Sequence, residues 1–359
     1  DAGAKNMIIY DGGSMIVNND GKIIKEAKRF EEDFLIVDFN EEIIEESLKP
    51  YNKFEEIYNA IIYAQKEIFN DLGFKKALVC VSGGLDSSVT LPIVVEAMGS
   101  ENVYALSMPS KFNSDLTKSN AQKLCDTLGV KLYWESLENI QIEFIEAHEK
   151  TFGEGSVVPL NISTFDAVGR TVAGIAASQH LNAGLVSTSN HTEIVLNWFS
   201  WHDISTAAVY GPLADLSKVE IFELAKFINK KNIKEIIPLN LLDGSTMPNP
   251  ELADAPNGAR WNYFVVSGIC CLLVRDKLDV YSILQLYDEK KLPEDYFPKD
   301  FQGKSIYDLV QNKEEFTEIV KMCFNRQKAS VYKASQACGM LMLSKTSRNF
   351  SNHESMINH

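Results

Sequence analysis

In LVCVSGGLDSSVTL, residues 78–91, a turn of small polar residues joins two apolar runs. The first run is typical of a buried strand and the second of a buried helix, so together they predict one βα step of a parallel sheet. The turn itself has two explanations. It is either a tight connection whose Asp86 or Ser87 caps the helix, or a cradle for a phosphate group.

The residue types in this turn favour the phosphate cradle. Gly83 and Gly84 allow a positive φ and a close approach of a ligand to the backbone, and the first amides of the following helix gather positive charge. The pattern GxxxxGK[ST] is absent, so this is not a Walker loop and it brings no lysine to the phosphates. Asp86 would repel a phosphate unless a divalent cation joined them, so we expect Asp86 to bind Mg²⁺.

The composition excludes several classes of protein. The chain has 359 residues and a net charge of -14, which makes it a poor general binder of nucleic acid or of an anionic membrane. No apolar run is long enough for a membrane span. The six cysteines are scattered without a CxxC pair, which favours a reduced, cytoplasmic protein with buried thiols over a zinc protein. The chain begins at Asp1 without a signal-peptide pattern, so we expect a processed or truncated N-terminus.

The chain changes character near residue 41. Residues 1–41 contain the short apolar segments MIIYDGG, SMIVNNDGK and DFLIVDFN, separated by turn residues that predict hairpins. An acidic connector follows, and a helix is predicted from residue 54 to about residue 72. Strands and helices then alternate to about residue 232. We therefore expect an α/β fold, a doubly wound, mostly parallel sheet with helices on both faces, that binds ligands at the carboxyl ends of its strands.

A second polar segment, TSNHTE, follows the predicted strand GLVS. If this strand lies beside the one that ends at Ser82, Glu193 could share a Mg²⁺ ion with Asp86. The alternative is a capping box in which Asn190 and Glu193 only begin the next helix, and one carboxylate can serve both purposes. We expect His191 to be a surface turn residue.

Two cations have settings that raise the question of a bound anion. Arg170 lies among small and apolar residues of a predicted helix, so it needs either a phosphate or carboxylate ligand or an ion pair with Asp166 one turn earlier. Lys218 is predicted at a helix start, where the helix dipole disfavours it unless an anion is bound; the alternative is a solvated lysine. The nearby aromatic run Trp198, Phe199 and Trp201, with His202 and Asp203, is a lid, an interface or ordinary packing.

These motifs together resemble the PP-loop ATP pyrophosphatase superfamily, whose signature is SGGxDS, and within it the glutamine-dependent NAD⁺ synthetase family. The resemblance covers nearly the whole chain. It is carried by VSGGLDSS, by SMPSKFNSDLTKSNAQKLCDTLG, by STSNHTE, by PLADLSKVEIFELAKFIN and by the terminal NRQKASVYKASQA. Residues 8–41 look like the last strands of the nitrilase-like glutaminase domain, whose Glu-Lys-Cys triad would lie upstream of this chain.

The resemblance implies a domain organisation and a set of partners. Residues 1–41 would be a remnant of the glutaminase domain, 42–53 a linker and 54–359 the NAD⁺ synthetase domain. The nitrogen would come from ammonia directly, or from glutamine through a glutaminase domain or subunit. Synthetases of this type resemble homo-oligomers whose substrate site lies near the interface.

The resemblance also implies the reaction and its residues. The carboxylate of nicotinic acid adenine dinucleotide (deamido-NAD⁺) would attack the α-phosphate of ATP, and ammonia would then displace AMP from the acyl-adenylate to give NAD⁺. Asp86, Ser82 and Lys218 would be catalytic, and Asp86 with Glu193 would hold Mg²⁺. The wider set of residues expected to contact ATP, pyrophosphate or the dinucleotide is Ser82, Gly83, Gly84, Asp86, Ser87, Ser88, Met108, Ser110, Arg170, Thr188, Lys218 and Lys333.

Several positions depart from the family pattern. The helix that reads ENxQARxR in the family reads FDAVGRTV at residues 165–172, and KR-x-QAPP has become KASQAC at residues 333–338. The stretch that corresponds to GYxTxYGD is one residue short, which makes the equivalence of Asp203 uncertain. Two alternatives therefore stay open, namely a PP-loop amide ligase with another acceptor and a catalytically impaired homologue that binds nucleotides.

Overall fold

The structure is a computed structural model, and it describes residues 2–5, 8–38, 51–109, 115–197, 203–244, 262–336, 338–340 and 342–343. Ser110, residues 198–202 and the side chain of Lys333 lie outside this part. The interpretations given above for those residues therefore stay predictions.

The N-terminal segment forms two antiparallel strand pairs. β1 (Ala2–Lys5) pairs with β2 (Ile8–Asp11), and β3 (Met15–Val17) pairs with β4 (Ile23–Glu26). The strand predicted over DFLIVDFN is wrong for its described part, since residues 33–38 contain no strand. The apolar residues there, Phe34 and Ile36, are largely exposed, so they have no packed surface of the kind that favours a strand.

A long helix, α1 (Lys53–Asp71), begins close to the predicted position and supports the N-terminal segment. Arg29, which follows β4, forms ion pairs with Asp11 and, at 2.9 Å, with Glu56 of α1. Ile9 and Phe30 pack against the core to which α1 contributes. The segment is thus held on α1 by charge and by apolar contact.

The central sheet has four parallel strands in the order β7-β6-β5-β8. They are β5 (Ala77–Cys80), β6 (Val103–Ser107), β7 (Lys131–Trp134) and β8 (Gly184–Val186). β5 is hydrogen-bonded to β6 on one side and to β8 on the other, with Ala77 opposite both Val103 and Gly184. The direction of strand addition therefore reverses beside β5, which places a topological switch point at the carboxyl ends of β5 and β8.

Helices cover both faces of this sheet. Ala77 and Val79 pack into one apolar cluster, whereas Leu78 lies in another cluster that includes Ala173. Because successive strand residues point to opposite faces, β5 is buried on both sides and the doubly wound α/β prediction is confirmed. The helices after α1 are α2 (Leu85–Met98), α3 (Asp115–Leu128), α4 (Glu138–Phe152), α5 (Pro159–Leu181), α6 (His191–Val195), α7 (Ile204–Ala207), α8 (Lys218–Asn232), α9 (Tyr263–Val274), α10 (Val280–Asp288), α11 (Ile306–Leu309) and α12 (Lys313–Gln336).

Two further segments extend the edge of the sheet beyond β8. Tyr210 forms a parallel bridge with Val186 and another with Gly339, so the C-terminal part of the chain returns to the sheet. The amide of Leu343 then donates to a carboxylate oxygen of Asp215 at 2.7 Å. Gly339 and Leu343 therefore contact the segment that precedes α8.

A second core is built around α9, all twelve residues of which are buried. It packs with α10, α11 and α12. All six cysteines are free, and only Cys80 is more than slightly exposed, as predicted from their apolar surroundings. Among the described residues, no helix is long and apolar enough to cross a membrane.

Candidate active site

The turn after β5 requires glycine at Gly83 for two reasons. Its φ is +77°, and a Cβ atom there would lie 1.9 Å from the carbonyl oxygen of Thr117 in α3. Gly84 is the N-cap of α2 in an extended conformation and brings no side chain. The helix therefore begins at Leu85, and its first amides face the turn without a side-chain cap.

The serines of this turn brace its backbone. The amide of Ser82 donates to Ser87 Oγ at 3.3 Å, and Ser87 Oγ donates to the carbonyl of Gly84 at 3.1 Å. Ser82 is exposed, whereas Ser87 and Ser88 are 2% and 0% exposed. A ligand that approached this turn would therefore meet Ser82 and the helix amides first.

Asp86 does not cap α2, since it lies in the first turn of the helix. Its carboxylate contacts the ammonium of Lys218 and accepts a hydrogen bond from Asn190 Nδ2 at 3.0 Å. Asn190 is the N-cap of α6 and Lys218 is the first residue of α8, so three parts of the chain meet at the Asp86 carboxylate. The interpretation of Asp86 as a mere cap is wrong.

Glu193 lies in α6, the short helix that follows β8, and β8 is the neighbour of β5 in the sheet. Asn190 and Glu193 form the predicted capping box, with hydrogen bonds of 3.0 and 3.3 Å between each side chain and the other's amide. Glu193 Oε1 also lies 4.0 Å from Lys218 Nζ. The box and the charge contact therefore coexist, and the box holds the carboxylate in place.

Lys218 is only 1% exposed, so the alternative of a solvated lysine is wrong. Burial by itself lowers the pKa of Lys218, but the Asp86 carboxylate, with smaller contributions from Tyr263 and Glu193, outweighs it and raises the pKa. The ring centroid of Tyr263 lies 4.9 Å from the ammonium, within range of a cation–π contact. The site thus holds a buried, charged amine between two carboxylates and an aromatic face.

The start of α8 is held by a second buried network. Ser217 and Glu220 form a capping box, and Glu220 pairs with Arg275 at 2.8 Å and with Lys53 at 3.2 Å. Burial alone raises the pKa of Glu220, but Arg275 and then Lys53 lower it to about 2. Arg275 also donates to the backbone carbonyl of Asp215. The carboxylate is therefore ionised, and the network holds Asp215 and Ser217, which directly precede Lys218.

A family model described as NAD synthase matches residues 57–254, which is more than half of the chain and includes the turn, Glu193 and Lys218. The chain belongs to the NAD synthase family. The recognition made from the motifs is thereby confirmed.

Known members of the NAD synthase family match in sequence and in fold. A glutamine-dependent NAD(+) synthetase of Synechocystis is 28% identical over 299 residues, which are 81% of this chain and 52% of that protein. The chain therefore spans about half the length of this curated relative. A glutamine-dependent NAD(+) synthetase of Cytophaga hutchinsonii has the same fold, with a TM-score of 0.77, 15% identity, 97% of this chain covered and 60% of that chain.

A shorter member of the family has the same fold too. The NH3-dependent NAD synthetase of Campylobacter jejuni gives a TM-score of 0.53 at 19% identity. That comparison covers 78% of this chain and 96% of the Campylobacter chain.

The other residues predicted from the NAD synthase pattern have different settings. Arg170 of α5 pairs with Asp166 at 2.6 Å, so the intramolecular alternative describes this structure. Met108 is buried beyond the end of β6, and Thr188 is half-buried beyond the end of β8. Asp203 is the N-cap of α7 and accepts from the amide of Ser205 at 2.9 Å.

One prediction for the segment TSNHTE, which follows β8, is wrong. His191 was expected on the surface, but it is 1% exposed, because its amide donates to the carbonyl of Leu216 and α6 packs against α9 and α12. The segment that follows β8 is thus an interior element, not a surface turn.

Three site residues were missed by the sequence reasoning, namely Ser267, Tyr263 and Arg275. Tyr263 and Ser267 lie on α9, whose sequence YFVVSGICCLLV looks like plain core. A hydroxyl in such an apolar run was the available signal, because a buried polar group needs a partner. The partner itself could not be known without the fold.

The pair Asp86 and Glu193 fits a magnesium ion that binds together with phosphate groups. Both carboxylates reach the Lys218 ammonium, so their oxygens already surround one cation. No group of three or more His, Cys, Asp or Glu side chains in the described part of the chain is placed to hold a metal. Mg²⁺ commonly takes one or two carboxylates and completes its coordination with water and substrate phosphates, which is the donor set that this site offers.

Proposed function

We propose that this chain catalyses the ATP-dependent amidation of deamido-NAD⁺ to NAD⁺, with release of AMP and pyrophosphate. The observation that carries the proposal is the convergence of Asp86, Glu193 and Lys218 beneath the turn that follows β5. Membership of the NAD synthase family supports the choice of reaction.

The chemistry is an acyl activation followed by an acyl transfer. A carboxylate oxygen of the pyridine ring attacks the α-phosphorus of ATP, and the bond to the bridging oxygen of pyrophosphate breaks. Ammonia then attacks the carbonyl carbon of the acyl-adenylate, AMP leaves with the electron pair of the C–O bond, and the attached nitrogen gives up a proton to become the amide. Charge accumulates on the departing pyrophosphate in the first step, so donors that face it should supply much of the rate.

Different residues of this chain would bind the phosphates and the metal ion. The exposed hydroxyl of Ser82 and the uncapped amides of α2 would bind the β- and γ-phosphates. Lys218 would move its ammonium from Asp86 to the phosphates. Asp86 and Glu193 would hold Mg²⁺, which neutralises phosphate charge when it is bound.

The nitrogen source is proposed to be ammonia, either free or released by a glutaminase. The match to nearly all of an NH3-dependent synthetase supports a unit that can use ammonia. The glutamine-dependent relative is about twice as long as the matched region, and residues 1–41 are proposed to belong to a glutaminase domain, with 42–53 as the linker. A homo-oligomer and a cytoplasmic location are proposed on the family resemblance and on the free thiols.

The test is a turnover assay with defined components. The chain is incubated with ATP, Mg²⁺, an ammonium salt and deamido-NAD⁺, and NAD⁺ and AMP are measured together. Equal amounts of NAD⁺ and AMP are expected. AMP release that requires a different carboxylate would favour a PP-loop ligase with another acceptor, and ATP binding without turnover would favour a catalytically impaired homologue. Either outcome overturns the proposal.

A further inference from the structure

The helix α9 contains a hydroxyl in an otherwise apolar setting. Ser267 is 0% exposed and lies in the middle of twelve buried residues. A buried hydroxyl without a partner would cost stability, so the contacts of Ser267 show why the position is polar.

Those contacts lead to the backbone of Lys218. The amide of Lys218 donates to Ser267 Oγ at 3.0 Å and to Thr192 Oγ1 at 3.2 Å, and the two hydroxyl oxygens are 2.9 Å apart. Lys218 is the first residue of α8, so its amide has no acceptor within the helix. The two hydroxyls supply that acceptor.

The same three residues connect the elements that carry the site. Thr192 directly precedes Glu193 in α6, and Ser267 lies one helical turn after Tyr263 in α9. The ring of Tyr263 faces the Lys218 ammonium. Helix α9 therefore contacts Lys218 at its amide and at its amine, on one helix face, since residues four apart in a helix are neighbours.

We propose that Ser267, together with Thr192, is a positioning residue that fixes the backbone of Lys218 so that its ammonium exchanges Asp86 for a phosphate without movement of α8. The kinetic part of this proposal rests on the proposed function, whereas the positioning itself does not. Ser267 does not touch the reacting groups and acts only through Lys218.

The kinetic test compares Ser267→Ala with Ser330→Ala. Ser330 is buried like Ser267, at 1% exposed, and its hydroxyl donates to the carbonyl of Gln327 within α12. It therefore controls for the loss of a buried hydroxyl elsewhere. We expect Ser267→Ala to lower kcat about tenfold, the equivalent of about one hydrogen bond in the transition state. KM for ATP and the melting temperature should change no more than in Ser330→Ala. A kcat equal to that of Ser330→Ala would overturn the proposal.

A double variant tests whether the two hydroxyls act as one unit. Thr192→Val should lower kcat to a similar extent, and Thr192→Val combined with Ser267→Ala should lose much less than the product of the single effects, because both act on one amide. Multiplicative losses would show two independent roles and would contradict the proposal.

A labelling experiment tests the positioning without reference to catalysis. The folded chain is treated with an amine-acetylating reagent, and the modification rates of Lys218 and of exposed Lys226 are followed by peptide mass spectrometry. The reagent can reach the buried amine only when the structure opens locally. Ser267→Ala removes about one hydrogen bond that opposes this opening, so it should speed the labelling of Lys218 about tenfold. Lys226, whose side chain is 51% exposed, should be labelled equally in every variant.

The outcomes separate the two claims. An unchanged Lys218 rate in Ser267→Ala, or an equal increase in Ser330→Ala, would overturn the positioning role. A wild-type chain that makes no NAD⁺ but shows the expected labelling pattern would overturn the proposed function and leave the positioning role standing.

Discussion

Lys218 and Arg170, two cations expected to meet the substrates, lie in opposite settings. Lys218 is 1% exposed and touches side chains from α2 and α9, while its amide is held by α6 and α9. Arg170 has a side chain that is 24% exposed, and it pairs with Asp166 of its own helix. The region around Lys218 is therefore assembled from several elements of the fold, whereas Arg170 forms an ion pair within α5. We expect substitutions in the Lys218 region to have the larger effect on turnover.

The largest expected effect comes from removing the carboxylate that gathers the Lys218 region. Asp86→Ala should lower kcat about a thousandfold or more, because Lys218 loses its partner and Mg²⁺ loses a ligand. Turnover is measured by NAD⁺ formation at saturating ATP and deamido-NAD⁺. Asp126→Ala is the control, since Asp126 is an exposed residue of α3 whose side chain accepts a hydrogen bond from Gln122. Rates of Asp86→Ala close to those of this control would show that the Lys218 region does not carry the reaction.

The buried ion pair between Glu220 and Arg275 supports the start of α8. It should make the free energy of unfolding depend on pH. The pKa of Glu220 is lowered from 4.5 to about 2, so its ionised form stabilises the fold by about 3 kcal/mol above pH 4.5, and this stabilisation is lost as the pH falls toward 2. Glu220→Gln should therefore be less stable than the wild type at pH 7, and the difference should shrink at pH 3. Urea unfolding at pH 7, 4.5 and 3 measures it.

The control for Glu220 is an acid on the same helix. Glu223 pairs with Lys226 on the surface, so Glu223→Gln should change the free energy of unfolding little at any of these pH values. If the difference between the wild type and Glu220→Gln is the same at pH 7 and at pH 3, the buried ion pair with Arg275 does not support α8 in the way described.

The smallest effect is expected in the other region. Arg170→Ala should lower kcat less than about tenfold, because Arg170 forms an ion pair with Asp166 of its own helix. If Arg170 contacts the acceptor, the loss should appear in KM for deamido-NAD⁺ and not in KM for ATP. A loss as large as that of Asp86→Ala would erase the contrast between the two regions.

The sequence predicted the fold and most of one site for identifiable reasons. The SGGLDSS turn and the alternation of strands and helices are local patterns, and they predict a doubly wound sheet. The meeting of Asp86 and Glu193 was conditional on the adjacency of their two strands, which the pairing of β5 with β8 supplies. The capping box at Asn190 was equally local and was found in the sequence.

The features that the sequence did not predict depend on contacts between distant parts of the chain. Burial of His191 is decided by its packing against elements far along the chain, and the role of α9 by contacts of Tyr263 and Ser267 with Lys218. An apolar helix gives the same sequence pattern whether it is plain core or supports a site. The strand predicted over DFLIVDFN is absent from residues 33–38, because the apolar residues there have no packed surface to cover.

We propose that the Lys218 ammonium lies where a metal ion would bind between Asp86 and Glu193, until the metal ion binds together with the nucleotide. A titration of the chain with Mn²⁺, as a spectroscopic substitute for Mg²⁺, tests this proposal, with the bound ion recorded by electron paramagnetic resonance with and without a non-hydrolysable ATP analogue. The wild type should bind Mn²⁺ only with the analogue, and Lys218→Met should bind it without the analogue, because the ammonium no longer competes for the two carboxylates. Nucleotide-independent binding by the wild type that is lost in Asp86→Ala would contradict this proposal, as would the failure of Lys218→Met to bind the ion alone.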